Sequence, residues 1–172
     1  MSVRELITKE QIADRIKWIS DAVSADFKNK PLTVVPILTG AFIFAADLVR
    51  KIKVKDLQID FVDISSYGDA TESSGTLKLG KDLSRSVVGR HILIVEDVVD
   101  TGYTISFLTS HLAVKGAESV SVCSLIDKPT RRRVPVRIDY PGFTVGDEFV
   151  VGYGMDCAGK CRELPFIGVM IP

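Results

Sequence analysis

The chain has 172 residues, enough for one domain with a sizeable core; 46% are hydrophobic and 26% charged, an ordinary globular balance. Lys+Arg and Asp+Glu each number 22, so the net charge is zero and the global basic bias of a non-specific nucleic-acid binder is excluded. No apolar run reaches membrane-spanning length, the stretch MSVRELITKEQ lacks an apolar signal core and reads as mature protein, and the sparse cysteines (Cys123, Cys157, Cys161) fit a reducing compartment.

Residues 8–28 carry Ile12, Ile16, Ile19 and Val23 at helical spacing, with Thr8 ahead and Glu10 and Gln11 close by, which predicts an amphipathic opening helix. LTVVPIL (32–38) reads as a buried strand in which Pro36 warns of irregular pairing. Thr39-Gly40 turns the chain into AFIFAADLVRKI, a helical pattern. DLQIDFVDIS (56–65) alternates like a strand, SYGDATESSG (66–75) is polar and small and predicts a long mobile loop, and TLKL resumes as a strand, so this part resembles a long hairpin. HILIVE (91–96) is an apolar strand typical of the middle of a parallel sheet, YTISFLTSHLAVKG is a helix closed by Gly116, and SVSVCSLI is a second central strand. VRIDY, EFVVGYG and FIGVM supply the last strands. Strand and helix alternate from 32 to 126, which predicts an α/β fold with a mostly parallel sheet and crossover helices. There is no internal repeat or linker, so 1–172 reads as a single domain.

Two glycine patterns mislead. GTLKLGKD (75–82) nearly matches a P-loop, but Asp82 replaces the Ser or Thr that would hold magnesium and no helical pattern opens at Lys81. Gly152-x-Gly154 lacks a third glycine, because Cys157 stands there, and no helix follows.

The stretch ILIVEDVVDTGYT (92–104) carries the chemistry. In an open parallel sheet ligands sit at the carboxyl ends of strands, and Glu96 and Asp97 lie at such an end. Asp100-Thr101-Gly102-Tyr103-Thr104 then leads into a helix. Gly102 permits close backbone approach, and the two threonine hydroxyls and free helix N–H groups suit a phosphate. Ionised carboxylates are acceptors only and would repel that phosphate, so Glu96 and Asp97 call for donors or a metal. A ligand with a phosphate at one end and a hydroxylated sugar at the other satisfies both, as a ribose 5-phosphate does. Plainer readings stand beside it: Asp100 as a simple helix cap, or an acidic magnesium pocket.

VEDVVDTGYT resembles the phosphoribosyl pyrophosphate (PRPP) signature of the type I phosphoribosyltransferases. ILTGAFIFAADLVR, ISSYG, LIDKPTRR, DEFVVGYGMD and CRELPFIGV follow the order of the hypoxanthine-guanine phosphoribosyltransferases, so the resemblance covers about residues 32–170. It implies the type I phosphoribosyltransferase fold: a core of about 32–150 whose mostly parallel sheet is flanked by helices, and a small hood from the N- and C-terminal segments. It implies purine salvage in the cytoplasm, with PRPP, hypoxanthine and guanine as substrates and IMP, GMP and pyrophosphate as products. Mg2+ is the implied cofactor, and a homo-oligomer, dimer or tetramer, the implied state. The ranking of hypoxanthine, guanine and xanthine would turn on groups near Val150 and Met155.

By the same resemblance Glu96 and Asp97 bind the ribose hydroxyls and share the metal with Asp156. Asp100, Thr101, Gly102, Tyr103 and Thr104 hold the 5′-phosphate, and Asp100 is the general base. Leu38, Thr39, Gly40 and Arg162 bind pyrophosphate, the first three in a loop that often bends through a cis peptide. Lys128 donates to the purine O6, Phe149 stacks on the base, the Val150 backbone bonds its edge and Met155 shapes its pocket. Ser66, Tyr67 and Gly68 belong to a loop that closes over the site. Thr39 stands where many members carry Lys or Arg, Tyr103 where some carry Lys, and Cys157 and Cys161 where aromatics are common. Plain readings exist for Lys128 (a solvated lysine) and Phe149 (a core aromatic). A second class of function, a nucleic-acid-binding regulator of the same fold, would rest on Arg131-Arg132-Arg133, which can equally be a solvated loop or a subunit contact.

Overall fold

The computed structural model describes residues 2–67 and 76–171. In chain order it forms β1 (Ser2–Ile7), α1 (Lys9–Asp26), β2 (Leu32–Leu38), α2 (Phe42–Val49), β3 (Leu57–Ile59), β4 (Val62–Tyr67), β5 (Thr76–Lys81), β6 (His91–Val99), α3 (Tyr103–Val114), β7 (Ser119–Asp127), β8 (Tyr140–Thr144), β9 (Val150–Val151) and β10 (Ile167–Ile171). The main sheet runs β5-β4-β2-β6-β7-β8, with β3 also on β2. It is parallel throughout except for the β4–β5 hairpin. A second sheet, β1-β10-β9, joins the two terminal segments antiparallel.

Strand alternation sends neighbouring residues to opposite faces of the main sheet. Val34, Leu93 and Val95 enter one core with Ile12, Ile16, Ile19 and Val23 of α1 and Phe44 and Leu48 of α2. Val35, Ile92 and Ile94 enter the other with Ile105, Leu108 and Leu112 of α3. Burial of each such side chain contributes about 1.5–3 kcal/mol. α1 starts with a full capping box: Gln11 N–H donates to Thr8 Oγ1 at 3.2 Å and Thr8 N–H to Gln11 Oε1 at 2.9 Å. Its far end is fixed by the Tyr140 hydroxyl, which donates to Asp26 at 2.7 Å.

Four sequence expectations change. The 56–65 strand is two strands, because Asp60 turns inward and accepts the N–H groups of Phe61, Ser84 and Arg85 at 2.7–3.0 Å. Pairing on that side of β2 stops at Val34 and resumes at Ile37, so Pro36 lies in the gap. Ser66 and Tyr67, expected in the mobile loop, end β4; the rest of that loop, 68–75 with Gly68, lies outside the described residues. The strand expected at VRIDY begins only at Tyr140. Before it, the Asp139 carboxylate accepts the Val122 N–H at 2.9 Å in place of a strand partner. β8 can hold Pro141 because it is an edge strand, and it needs Gly142, where a Cβ would sit 2.2 Å from the Leu125 carbonyl oxygen. EFVVGYG keeps only Val150 and Val151 as strand, since Gly152, Tyr153 and Gly154 all have positive φ. β1 had no signal in the sequence beyond its end position.

The misleading P-loop lysine ends β5, and Asp82 binds elsewhere: Lys115 Nζ at 2.7 Å, His111 Nε2 at 3.1 Å and the Leu83 N–H at 2.7 Å. Burial opposes ionisation of Asp82, but these donors outweigh it and hold its pKa at about 2. A depressed carboxylate contributes stability that is complete above its unfolded value near 3.9 and is lost as pH falls through its folded value. Asp82→Asn should therefore cost about 1 kcal/mol at pH 7, after discounting for solvent screening, a deficit that shrinks as pH falls and is mostly gone by pH 2. Denaturant midpoints of both proteins across pH 2–7 measure this, and a deficit independent of pH contradicts it.

Candidate active site

β2, β6 and β7 are parallel neighbours, so the segments that follow them converge at one end of the sheet. The β2–β6 register pairs Pro36 with Val95, which brings the turn after Leu38 level with Asp97. The Leu38–Thr39 peptide is cis. At Gly40 a Cβ would lie 1.8 Å from Asp97 Oδ2, and at Gly154 (φ +104°) 2.2 Å from the Gly40 carbonyl oxygen. Three segments thus meet where only glycine fits.

β6 runs two residues beyond its acids, to Val99, so Glu96 and Asp97 belong to the strand itself. Glu96 is buried and Asp97 half-buried. Burial, then the Asp97 charge and carboxyl contact, push the Glu96 pKa well above the ordinary carboxylate range despite the Asp97 N–H at 3.3 Å. The two carboxyl groups lie side by side at the end of the strand.

After β6 comes the turn Asp100–Thr104. Gly102 precedes α3 with φ +90°, and a Cβ there would meet the Val134 carbonyl oxygen at 2.8 Å. The Thr101 carbonyl accepts the N–H groups of Arg133 (2.9 Å) and Val134 (3.1 Å). Arg131 Nε donates to Asp100 Oδ1 at 2.8 Å. Arg132 pairs with Asp127 and packs under Gly102, and its Nη1 is buried without a partner. The segment after β7 is thereby laced to the phosphate-like turn. Tyr103 is exposed at the first turn of α3 and Thr104 half-buried beside it.

Lys128 opens that segment. Its N–H donates to the Val99 carbonyl at 3.0 Å, and its buried Nζ donates to the Glu148 carbonyl at 2.7 Å. Burial lowers its pKa; the nearby Asp100 charge opposes the shift and Arg131 adds to it. The next residue, Phe149, is 57% exposed, which excludes the core-aromatic reading, whereas Val150 and Met155 are buried. Thr130 Oγ1 donates to Asp147 at 2.9 Å, a second tie between the two segments.

Arg162 Nη2 contacts Asp156 Oδ1 at 2.7 Å and Nη1 donates to the Gly154 carbonyl at 2.6 Å, while Gly159 N–H donates to Asp156 Oδ2 at 2.7 Å. Arg162 and Asp156 are therefore held beside the Gly40–Gly154 contact. Leu38, Thr39, Gly40, Asp156 and Arg162 form one group; Asp100–Thr104, Lys128 and the 148–150 edge form another; Glu96 and Asp97 stand between them. Ser66 and Tyr67 close β4, and their side chains lie outside the described residues.

Residues 2–158 match the family of the phosphoribosyl transferase domain. The chain belongs to this family. A hypoxanthine-guanine phosphoribosyltransferase of Bacillus subtilis (strain 168) is 42% identical over 167 residues, covering 97% of this chain and 92% of that one. The bifunctional protein TilS/HprT of Listeria innocua is also 42% identical over 97% of this chain, which spans only 26% of that longer protein. A crystal structure of a Bacillus anthracis hypoxanthine-guanine phosphoribosyltransferase, with a HEPES molecule in its active site, has a TM-score of 0.94 at 42% identity, covering 99% of this chain and all 100% of that one.

Sequence reasoning missed three contributors to this phosphoribosyltransferase site. Arg131 and Arg132 read as a solvated loop or a subunit contact, yet they pair with Asp100 and Asp127. Tyr153, in the left-handed region (φ 50°), donates its hydroxyl to Asp47 of α2 and so ties the 152–156 turn to the helix that follows Gly40. Burial, then the Asp47 contact, raise its pKa beyond any physiological range. A positive φ at tyrosine has no sequence signature. Gly154→Ala should lower stability by roughly 2 kcal/mol, since it adds both strain at positive φ and overlap with Gly40. Thermal melting checks this, and an unchanged midpoint counts against the close approach.

Proposed function

We propose that the chain transfers the 5-phosphoribosyl group of PRPP to hypoxanthine or guanine, releasing pyrophosphate and forming IMP or GMP in purine salvage. The observation that carries the reading is the bonding of the Lys128–Val134 segment to Asp100 and Thr101. It fixes a purine-facing lysine relative to a phosphate turn, as joining a base to a sugar phosphate requires.

Each residue then has a task. Glu96 and Asp97 engage the ribose hydroxyls, and the negative charge of the pair favours an oxocarbenium-like transition state. Thr101, Gly102, Tyr103 and Thr104 receive the 5′-phosphate through backbone N–H groups and hydroxyls. Asp100 takes the proton from the N7 side of the purine. Lys128 donates to O6, the exposed Phe149 ring stacks on the base, the Val150 backbone meets its edge and Met155 walls the pocket. Leu38, Thr39, Gly40 and Arg162 receive pyrophosphate, the guanidinium suiting phosphate oxygens. The segment of Ser66, Tyr67 and Gly68 closes over the cleft and excludes water from the activated sugar.

Asp156, Glu96 and Asp97 offer the hard carboxylate oxygens that suit Mg2+, though among the described residues the three do not gather into one cluster, so one or two of them would hold the ion. That is the pattern of a cation held by one or two carboxylates with substrate phosphates and water. When bound, Mg2+ supplies charge neutralisation for the departing pyrophosphate. None of the described helices is long and apolar enough to cross a membrane. We place the enzyme in the cytoplasm as a homo-oligomer, a state that exposed Phe42, Ile59 and Phe61 support. Nothing favours the nucleic-acid-binding alternative: Arg132 is paired with Asp127 and Arg131 Nε with Asp100.

Purified protein with PRPP, Mg2+ and a panel of purine bases tests the reading; absence of product from every 6-oxopurine would sink it. Asp100→Asn should cut turnover by about 10²–10⁴ while leaving PRPP binding nearly intact. Steady-state kinetics with a PRPP binding isotherm separates the two, and equal losses in both assign Asp100 a purely structural part.

A further inference from the structure

The phosphate turn Asp100–Thr104 contains a carboxylate and no cation. A phosphate dianion entering it meets backbone N–H groups and hydroxyls but also the charge of Asp100. The guanidinium beside that carboxylate belongs to Arg131. Only Nε is used, donating to Asp100 Oδ1 at 2.8 Å, and among the described residues Nη1 and Nη2 make no hydrogen bond. The Arg131 side chain is 49% exposed at this contact. Its backbone is fixed on both sides: Arg131 N–H donates to Lys128 at 3.1 Å, and the following N–H groups of Arg133 and Val134 donate to Thr101 inside the turn. The guanidinium therefore has a fixed root, an open face and two free donors at the edge of the turn.

We propose that Arg131 is a phosphate-binding residue of this site: it supplies through its two free Nη groups the positive charge that the Asp100–Thr104 turn lacks, while its Nε keeps Asp100 in place. A planar fork can serve a carboxylate and a phosphate together, which a point-charge ammonium does less well. The proposal rests on the phosphoribosyl-transfer reading and assigns a residue which that reading does not use.

The test compares ligands that differ only in the phosphate. Binding of IMP and of inosine is measured by calorimetry on the wild type, Arg131→Gln and Arg131→Lys, with thermal melts to verify folding. Arg131→Gln should weaken IMP about tenfold or more and leave inosine unchanged. Arg131→Lys should recover part of the loss. If IMP and inosine weaken equally, or neither changes, Arg131 serves only Asp100 or nothing, and the proposal is overturned. Should Arg131→Gln fail to fold, Arg131→Lys decides alone: a several-fold loss for IMP only supports the proposal, and equal affinity changes reject it. A wild type that neither binds IMP nor forms it from hypoxanthine and PRPP would instead remove the phosphoribosyl-transfer reading itself.

Discussion

The site depends on a steric constraint at Gly40. Its Cα sits so close to the Asp97 carboxylate that an added Cβ would lie 1.8 Å from Oδ2, and its carbonyl oxygen lies 2.2 Å from where a Cβ on Gly154 would be. That contact sets how near the turn after β2, the acidic end of β6 and the 152–156 segment can come. It is possible only because β2 and β6 are adjacent and in register, Pro36 beside Val95. The cores on both faces enforce the register, because a one-residue slip would turn Val34, Val35 and Leu93–Val95 to the wrong sides. Packing far from the chemistry thus fixes the spacing of its acids and loops.

The charges of the cleft follow the same economy. Placing two carboxyls at the end of a buried strand costs desolvation, and burial together with the Asp97 charge raises the Glu96 pKa well above the ordinary carboxylate range. Cations come from the neighbouring segment, where Lys128, Arg131 and Arg132 each meet an oxygen of a different element: the Glu148 carbonyl, Asp100 and Asp127. Lys128 donates a hydrogen bond to a carbonyl and makes no direct ion pair with an acid among the described residues. Under the proposed reaction a purine O6 can replace that carbonyl without breaking an ion pair.

Much of this was legible in the sequence, and the boundary of legibility has a physical cause. α1 announced itself by a 3.6-residue apolar period and by Thr8 with Gln11, because helix initiation is a local event. β2, β6 and β7 were visible as apolar runs, since strands buried on both faces need no alternation. The split of 56–65 was not visible, because it hangs on Asp60 collecting N–H groups from Ser84 and Arg85, more than twenty residues away. Nor was the start of β8, which depends on Asp139 reaching Val122 and on Gly142 clearing Leu125. The acids and the phosphate turn were readable because their chemistry sits in one continuous stretch. The paired arginines were not, because a run of three like charges looks solvated until the partners of two of them, Asp100 and Asp127, are brought alongside by tertiary packing.

That difference bears on how a neutral chain can present a cleft to a polyanionic substrate. With 22 cations against 22 acids, no global field draws phosphate in. The attraction has to be local and preorganised: helix-start N–H groups, a glycine that lets them point inward, and guanidiniums already desolvated on one side by acids of the protein. An arginine held by Asp100 has part of its rotamer freedom removed before any ligand arrives, so a phosphate meeting its remaining donors orders little more of the chain. On the proposed role of Arg131, the same pairing offsets part of the repulsion between Asp100 and the phosphate. The carboxylates beside this turn thus sit in different surroundings: burial and the Asp97 charge raise the Glu96 pKa, and a guanidinium meets Asp100.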